Sequence, residues 1–293
     1  MTSFDVKESY RDNDKLRTRF FVFVNTVFPG LDFRIWHDRG CWDDPYIPFS
    51  IIENDRIVSN VSITKMKILL NGKQINAIQF GTVGTIPEYR NRGLSRYLME
   101  YVLDKYKNEI DFYFLFANET VLDFYPKFGF KRHNMHIFRS DRGYPDAKTT
   151  ARKLNLDNQG DFDLVRNTLK NRIPVTQLFG AADYGFITMW HVLNLYPDNL
   201  FYFENEQAIV IASEQNDKLH VMDVIASRPV DIDSLIPGVT SNRKLKSVSY
   251  YFSPDQLNYR YDDIEPDDDS PLYVLGDIDL GSNPYHFPAT AQT

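Results

Sequence analysis

Residues 79–95 read Gln-Phe-Gly-Thr-Val-Gly-Thr-Ile-Pro-Glu-Tyr-Arg-Asn-Arg-Gly-Leu-Ser, and the fold turns on how this stretch divides. Gln79 to Gly84 reads as a strand, Pro87 stops it, Arg90 to Arg92 form a short basic loop, and Leu94 opens a helix. Gly81 and Gly84 inside the strand invite a bulge or the close approach of another backbone. At the helix start two guanidiniums, Arg90 and Arg92, flank Asn91 beside Gly93. Unpaired backbone N–H groups from Arg92 to Ser95 are then free to face an anion. The pattern is that of a pyrophosphate cradle.

Downstream, Leu94, Tyr97, Leu98, Tyr101 and Val102 form a helical apolar stripe running to about Tyr106. Asp111 to Asn118 is almost wholly apolar, as in a strand covered on both faces. Strand, helix and buried strand make a crossover unit. Asn118 is placed to cap a short helix over Glu119 to Phe124, Pro126 and Gly129 end it, and residues 133–140 form another strand. Upstream, Asn54-Asp55 and Asn71-Gly72 turn two hairpins. A helix from Leu16 to Phe28 opens the chain, and the aromatic-rich segment Asp32 to Pro48 reads as an irregular loop lining a pocket.

These residues resemble the GCN5-related N-acetyltransferase (GNAT) superfamily. Its signature is a strand, V-x-P-x-x-R, then R/Q-x-x-G-x-G/A. Here Thr85 to Arg90 is followed by Arg90-Asn91-Arg92-Gly93-Leu94-Ser95, with Ser95 in place of the final Gly or Ala. The later motif, an Asn ending a strand and then F-Y-x-K-x-G-F, matches Asn118 and Phe124 to Phe130. The resemblance implies an α+β fold, a central mixed and mostly antiparallel sheet flanked by helices. It implies acetyl-coenzyme A as cosubstrate, held by Arg90, Asn91, Arg92, Gly93, Leu94 and Ser95. The strand edge at Val83 and Thr85 would pair with the pantetheine amides, and Asn118 would contact pantetheine, cap its helix, or do both. Tyr125 matches the tyrosine that returns a proton to the departing thiolate; a packed core tyrosine is the alternative. The implied reaction is transfer of acetyl to a primary amine by direct attack in a ternary complex. A non-catalytic acyl-coenzyme A sensor, or an acyltransferase with another acyl chain or acceptor, stands as the alternative.

The second half repeats the order at low similarity. A helix over 161–174, paired strand segments at 200–205, 206–213 and 218–227, a short helix at 230–238 and strands at 246–253 and 271–278 follow one another. The expectation is a catalytic domain at 1–145 and a diverged GNAT-like domain at 146–293. Where a phosphate loop would follow Ala226, the chain has Ser-Arg-Pro-Val-Asp-Ile-Asp-Ser-Leu, whose carboxylates repel a pyrophosphate. The tandem resembles acetyltransferases of the "enhanced intracellular survival" type without their extra C-terminal domain, for which this chain has no room.

A formal charge of -7 argues against a nucleic-acid partner and permits a cationic one. Met1 to Arg11 lacks a signal-peptide core and no run approaches a membrane span, so a cytoplasmic protein is expected. The histidines are scattered and no metal is implied. The acidic run Asp262 to Asp269 reads as a solvated surface loop. With Gln79, Thr82 and Thr85 on the strand before the cradle, the family's usual strand glutamate is missing. The base could come from Asp43, Asp44, Glu53, His191, the C-terminal carboxylate or ordered water. Cys41, with His37 four residues before it, offers a rival acetyl relay through a thiol. The acceptor is expected to be a small-molecule or peptide amine. Trp36, Trp42 and Trp190 lean the reading toward a cation, and the aromatic surface toward a homo-oligomer.

Overall fold

The computed structural model describes residues 4–142, 150–240, 245–257 and 259–293. After the short strand β1 (Val6–Glu8), helix α1 (Asp14–Val27) starts where the Asn13 carboxamide accepts the Leu16 N–H at 3.1 Å, and it buries Phe20, Phe21, Phe23 and Val24. The aromatic segment after it is not wholly irregular, because Asp32 caps a short helix, α2 (Phe33–Asp38). Strands β2 (Tyr46–Glu53), β3 (Arg56–Leu70) and β4 (Lys73–Thr85) follow as two hairpins. Both turns carry consecutive positive φ angles, 49° and 64° at Asn54-Asp55 and 48° and 77° at Asn71-Gly72, as two-residue hairpin loops require.

Helix α3 (Leu94–Tyr106) crosses to β5 (Phe112–Phe116), which lies parallel to β4, and β6 (Lys131–Ser140) ends the first half. Between β5 and β6 the expected short helix is two 3-10 turns, Glu119–Val121 and Tyr125–Phe128. The second half has β7 (Arg152–Lys153), α4 (Gln159–Lys170), β8 (Phe179–Ala182), α5 (Gly185–Asn194), β9 (Leu200–Phe203), β10 (Ala208–Gln215), β11 (Lys218–Ile225), α6 (Ile232–Val239), β12 (Ser247–Tyr250) and β13 (Asp263–Leu275). The boundary expected at 145/146 lies outside the described residues.

Among the described residues one sheet runs through the molecule in the order β1-β2-β3-β4-β5-β13-β6-β12-β11-β10-β9-β7, with β8 added beside β3. Its pairings are antiparallel except β4 with β5 and β11 with β12. The mixed, mostly antiparallel sheet is thus as the resemblance implies. The last strand does not stay in the second half: β13 inserts between β5 and β6, with Leu272 opposite Phe116 and Val274 opposite Lys131.

That insertion corrects the reading of the acidic run. Asp263 to Asp267 is paired strand against β6, not a loop. The carboxylates tolerate this because cations meet them: Arg139 binds Glu265, Arg132 reaches Asp268 at 2.8 Å, and Arg142 reaches Asp262 at 2.6 Å. A sequence window sees the like charges and not the arginines more than a hundred residues upstream. The cores cross the same line. One apolar cluster joins Phe20, Phe80, Leu98 and Tyr125 to Phe162, Val165 and Met189 of α4 and α5, and a second lies beneath α6.

Candidate active site

At the entry to α3, Gly93 takes φ 76° and caps the helix from the left-handed region, where a side chain is costly. Its carbonyl accepts the Tyr97 N–H at 2.9 Å, so the N–H groups before Tyr97 start the helix without intrahelical partners. No acidic side chain stands in the first turn of α3. Ser95, which departs from the family pattern, ties the helix start to β4 through a chain of hydroxyls. Its own hydroxyl lies 2.7 Å from that of Thr85, itself 2.8 Å from Ser59. Arg90 donates to the Thr85 carbonyl at 3.3 Å, whereas Arg92 lies over the Tyr89 ring and donates to the Glu88 carbonyl.

Strand β4 carries an extra residue opposite β3: Ser62 faces Gly81 and Asn60 faces Gly84, leaving Thr82 and Val83 against Val61 alone. Thr82 sits at φ 48°. That backbone is held by the buried Asn60 side chain, which donates to the Thr82 carbonyl at 2.9 Å and is itself held through Ser50 by Tyr10. On the other side, β5 pairs with β4 only from Ala77 to Phe80. From Gly81 to Thr85 the β4 edge opens into a cleft of about 930 Å³.

The cleft joins the expected residues. Val83, Thr85, Arg90, Asn91, Gly93, Leu94, Ser95, Asn118 and Tyr125 all line it, and Arg92 does not. Asn118 accepts the Thr120 N–H at 2.9 Å, so it caps its 3-10 turn while facing the cleft. Tyr125 is buried among Phe124, Phe130 and Tyr273, and burial pushes its hydroxyl up to about 12. Its proton is therefore retained at neutral pH.

Residues 38–132, which carry this loop, strand and tyrosine, match the family model of the acetyltransferase (GNAT) domain. That segment is similar to a GNAT domain. Three solved structures share the fold over nearly the whole chain. A probable N-acyltransferase from Enterococcus faecalis V583 is 12% identical, with a TM-score of 0.64 and coverage of 93% of this chain and 72% of its own. Eis1 from Mycobacterium abscessus is 14% identical, with a TM-score of 0.58 and coverage of 92% and 73%. A GCN5-related N-acetyltransferase from Kribbella flavida is 15% identical, with a TM-score of 0.54 and coverage of 92% and 71%. No curated protein matches the sequence.

The far end of the cleft is built jointly by both halves. Phe33, Trp36 and Tyr46 from the first half meet Ile187 and Trp190 of α5 and the final residues Gln292 and Thr293. Sequence reasoning named Trp190 and the C-terminal carboxylate as candidates without a sign of where they would stand. The sign lay in Gly81, where an added Cβ would stand 2.9 Å from the Thr293 carbonyl carbon. Gln79, at the position of the missing glutamate, grips this tail: it accepts the Thr293 N–H at 2.6 Å and donates to the Ala291 carbonyl at 2.9 Å. His191 holds the Gln292 carbonyl at 2.7 Å and is pushed down to about 4 by burial, so it sits neutral and outside the cleft lining. Asp43, Asp44 and Glu53 also lie outside that lining.

Cys41 is buried away from the cleft lining, its thiol pushed up to about 11 by burial, and His37 turns its Nδ1 to Asp38 instead. A low-pKa thiol paired with histidine is not what this geometry provides. Among the described residues no group of three His, Cys, Asp or Glu is placed to hold a metal, and no helix is long and apolar enough to cross a membrane.

Proposed function

We propose that the protein is an acetyl-coenzyme A dependent N-acetyltransferase in which a primary amine attacks the thioester directly in a ternary complex. The observation that carries this is one cleft uniting a helix start free of carboxylates, a strand edge without a pairing strand and a buried, protonated phenol. In this reading residues 1–145 form the catalytic domain and 146–293 a GNAT-like domain without a phosphate loop. The N–H groups at Gly93, Leu94 and Ser95, with Arg90, hold the pyrophosphate. Arg92 acts on it from outside the cleft lining, through its charge. Val83 and Thr85 offer their backbone to the pantetheine amides, and Asn118 closes the other wall.

The amine nitrogen forms a bond to the thioester carbon, the carbon–sulfur bond breaks, the nitrogen loses one proton and the thiolate gains one. Tyr125 is the donor to the thiolate, since the low-dielectric site that keeps the phenol protonated also raises the basicity of the sulfur. For the base, Thr293 supplies the candidate in place: where the polypeptide ends at this residue, its α-carboxylate stands against Gly81 inside the cleft.

The test is calorimetric titration with acetyl-coenzyme A and coenzyme A, followed by an amine panel with detection of the released thiol. Binding with turnover is expected. Absence of binding would overturn the reading, and binding without turnover on any amine would favour a coenzyme A sensor.

A further inference from the structure

Among the described residues, those that line the cleft include no Asp, Glu, Lys or His side chain; their charged side chains are Arg90 and Arg96, both at the helix-start end. The acceptor end is therefore apolar walls, hydroxyls and the tail. This differs from what the net charge of -7 invites, because the carboxylates of the chain are spread elsewhere. Neither do the rings form a cage for a cation. Trp36 is stacked against Trp42 at 13° and lies at 24° to Phe186, its indole N–H donates to the Phe186 carbonyl, and the Tyr46 hydroxyl lies 2.7 Å from that of Thr82. The faces of the Trp36 indole are thus covered by other rings. Phe28, Leu31 and Trp190 stay partly exposed and give the cleft free apolar surface.

We infer that the acceptor is a monoamine with an aromatic or aliphatic body, and that polyamines and other polycations are poor ligands. A second ammonium would lose its water in this cleft without gaining a carboxylate side chain, while each methylene on an apolar body gains from burial. The inference rests on the acetyltransferase reading for which end of the cleft takes the amine, but its test does not need turnover.

Protein saturated with coenzyme A is titrated calorimetrically with butylamine, hexylamine, 2-phenylethylamine and spermidine. Affinity is expected to rise about fourfold per methylene from butylamine to hexylamine, and 2-phenylethylamine is expected to bind at least about tenfold more tightly than spermidine. Trp190→Ala should weaken 2-phenylethylamine by about tenfold and Trp190→Phe should restore most of it. Leu31→Glu, at a partly exposed wall position, should shift preference toward spermidine. Spermidine binding as tightly as the aryl amine, no chain-length dependence, or no amine binding at all would each overturn the inference. Aryl-amine binding without thiol release would instead leave it standing and remove the catalytic reading.

Discussion

In the first half a hairpin turned at Asn71-Gly72 leads into bulged β4, crosses through α3 and returns parallel in β5; in the second, a hairpin turned at Asn216-Asp217 leads into bulged β11, crosses through α6 and returns parallel in β12. Even the extra residue recurs, with Met222 standing where Thr82 and Val83 stand. What differs is the occupancy of the strand edge and the chemistry of the helix start. Beyond Phe80 β5 no longer pairs with β4, and the Arg90 side chain reaches the Thr85 carbonyl, whereas at the end of β11 the backbone itself is met, the Ala226 carbonyl accepting the Ile173 N–H at 2.8 Å, and the Val224 carbonyl accepts from Arg172. Beside the second bulge, the fully buried Asp223 takes a bidentate pair from Arg172 at 2.7 and 2.9 Å and a hydrogen bond from Thr290. Helix α6 starts with Asp231 at its cap and Asp233 in its first turn, where α3 has Gly93 and no acid. The two crossovers thus share a topology and differ in what meets the strand edge and in the charge at the helix start.

The sharpest cut into this comparison is Tyr125→Phe. Loss of the donor beside the open edge should lower kcat about a thousandfold, checked by single-turnover thiol release, with little change in acetyl-coenzyme A affinity. Unchanged single-turnover rates would return Tyr125 to the core.

Asp223→Ala addresses the filled counterpart. Removing one partner of a buried pair leaves the Arg172 charge unmatched and should cost about 3–4 kcal/mol of stability, read as a fall of about 6–12 °C in Tm. It should also loosen Thr290 and so the tail that reaches Thr293. A Tm within a degree of the parent would mean the pair is not what closes the second crossover.

His191 gives a pH-dependent version of the same contrast. Its pKa is depressed in the folded chain, from 6.5 to about 4, so the folded state binds fewer protons and stability present above pH 6.5 is lost as pH falls toward 4. Urea unfolding at pH 7 and pH 4.5 should differ by about 2–3 kcal/mol on this account, and His191→Gln should flatten that difference. A slope equal to the parent's in the variant would exclude His191 as its source.

The smallest expected change is Gly93→Ala. A Cβ there meets nothing within 4 Å, so the cost is the left-handed backbone alone, about 1–2 kcal/mol. It should appear as weaker acetyl-coenzyme A binding, by about tenfold, with the stoichiometry staying at one per chain. Two equivalents bound by the parent would break the contrast between the crossovers.

Legibility followed the range of the forces. The two Asn-led hairpin turns, the Asn118 cap, the α3 stripe and the start of α3 at Gly93 were readable because each depends on residues within one or two turns of each other. The acidic run was misread because its counter-charges, Arg132, Arg139 and Arg142, arrive from β6 and the residues after it. The acceptor wall was half readable: Trp36 and Trp190 were flagged as aromatic, yet the stacking of Trp36 against other rings removes the cation-binding role that composition suggested.

By itself the sequence determined the crossover, the glycine-led helix start after Arg90 to Arg92 and the acidic helix start after Ala226. These follow from local backbone preference and from charge sign, which need no partner to be evaluated. Only the tertiary structure decided that β13 enters the first half, that Gln79 grips the tail, and that one cleft joins Tyr125 to Trp190 and Thr293. Those outcomes depend on which distant groups satisfy buried hydrogen-bonding atoms. Gly81 marked the place where another backbone had to pass, and the fold supplied the backbone.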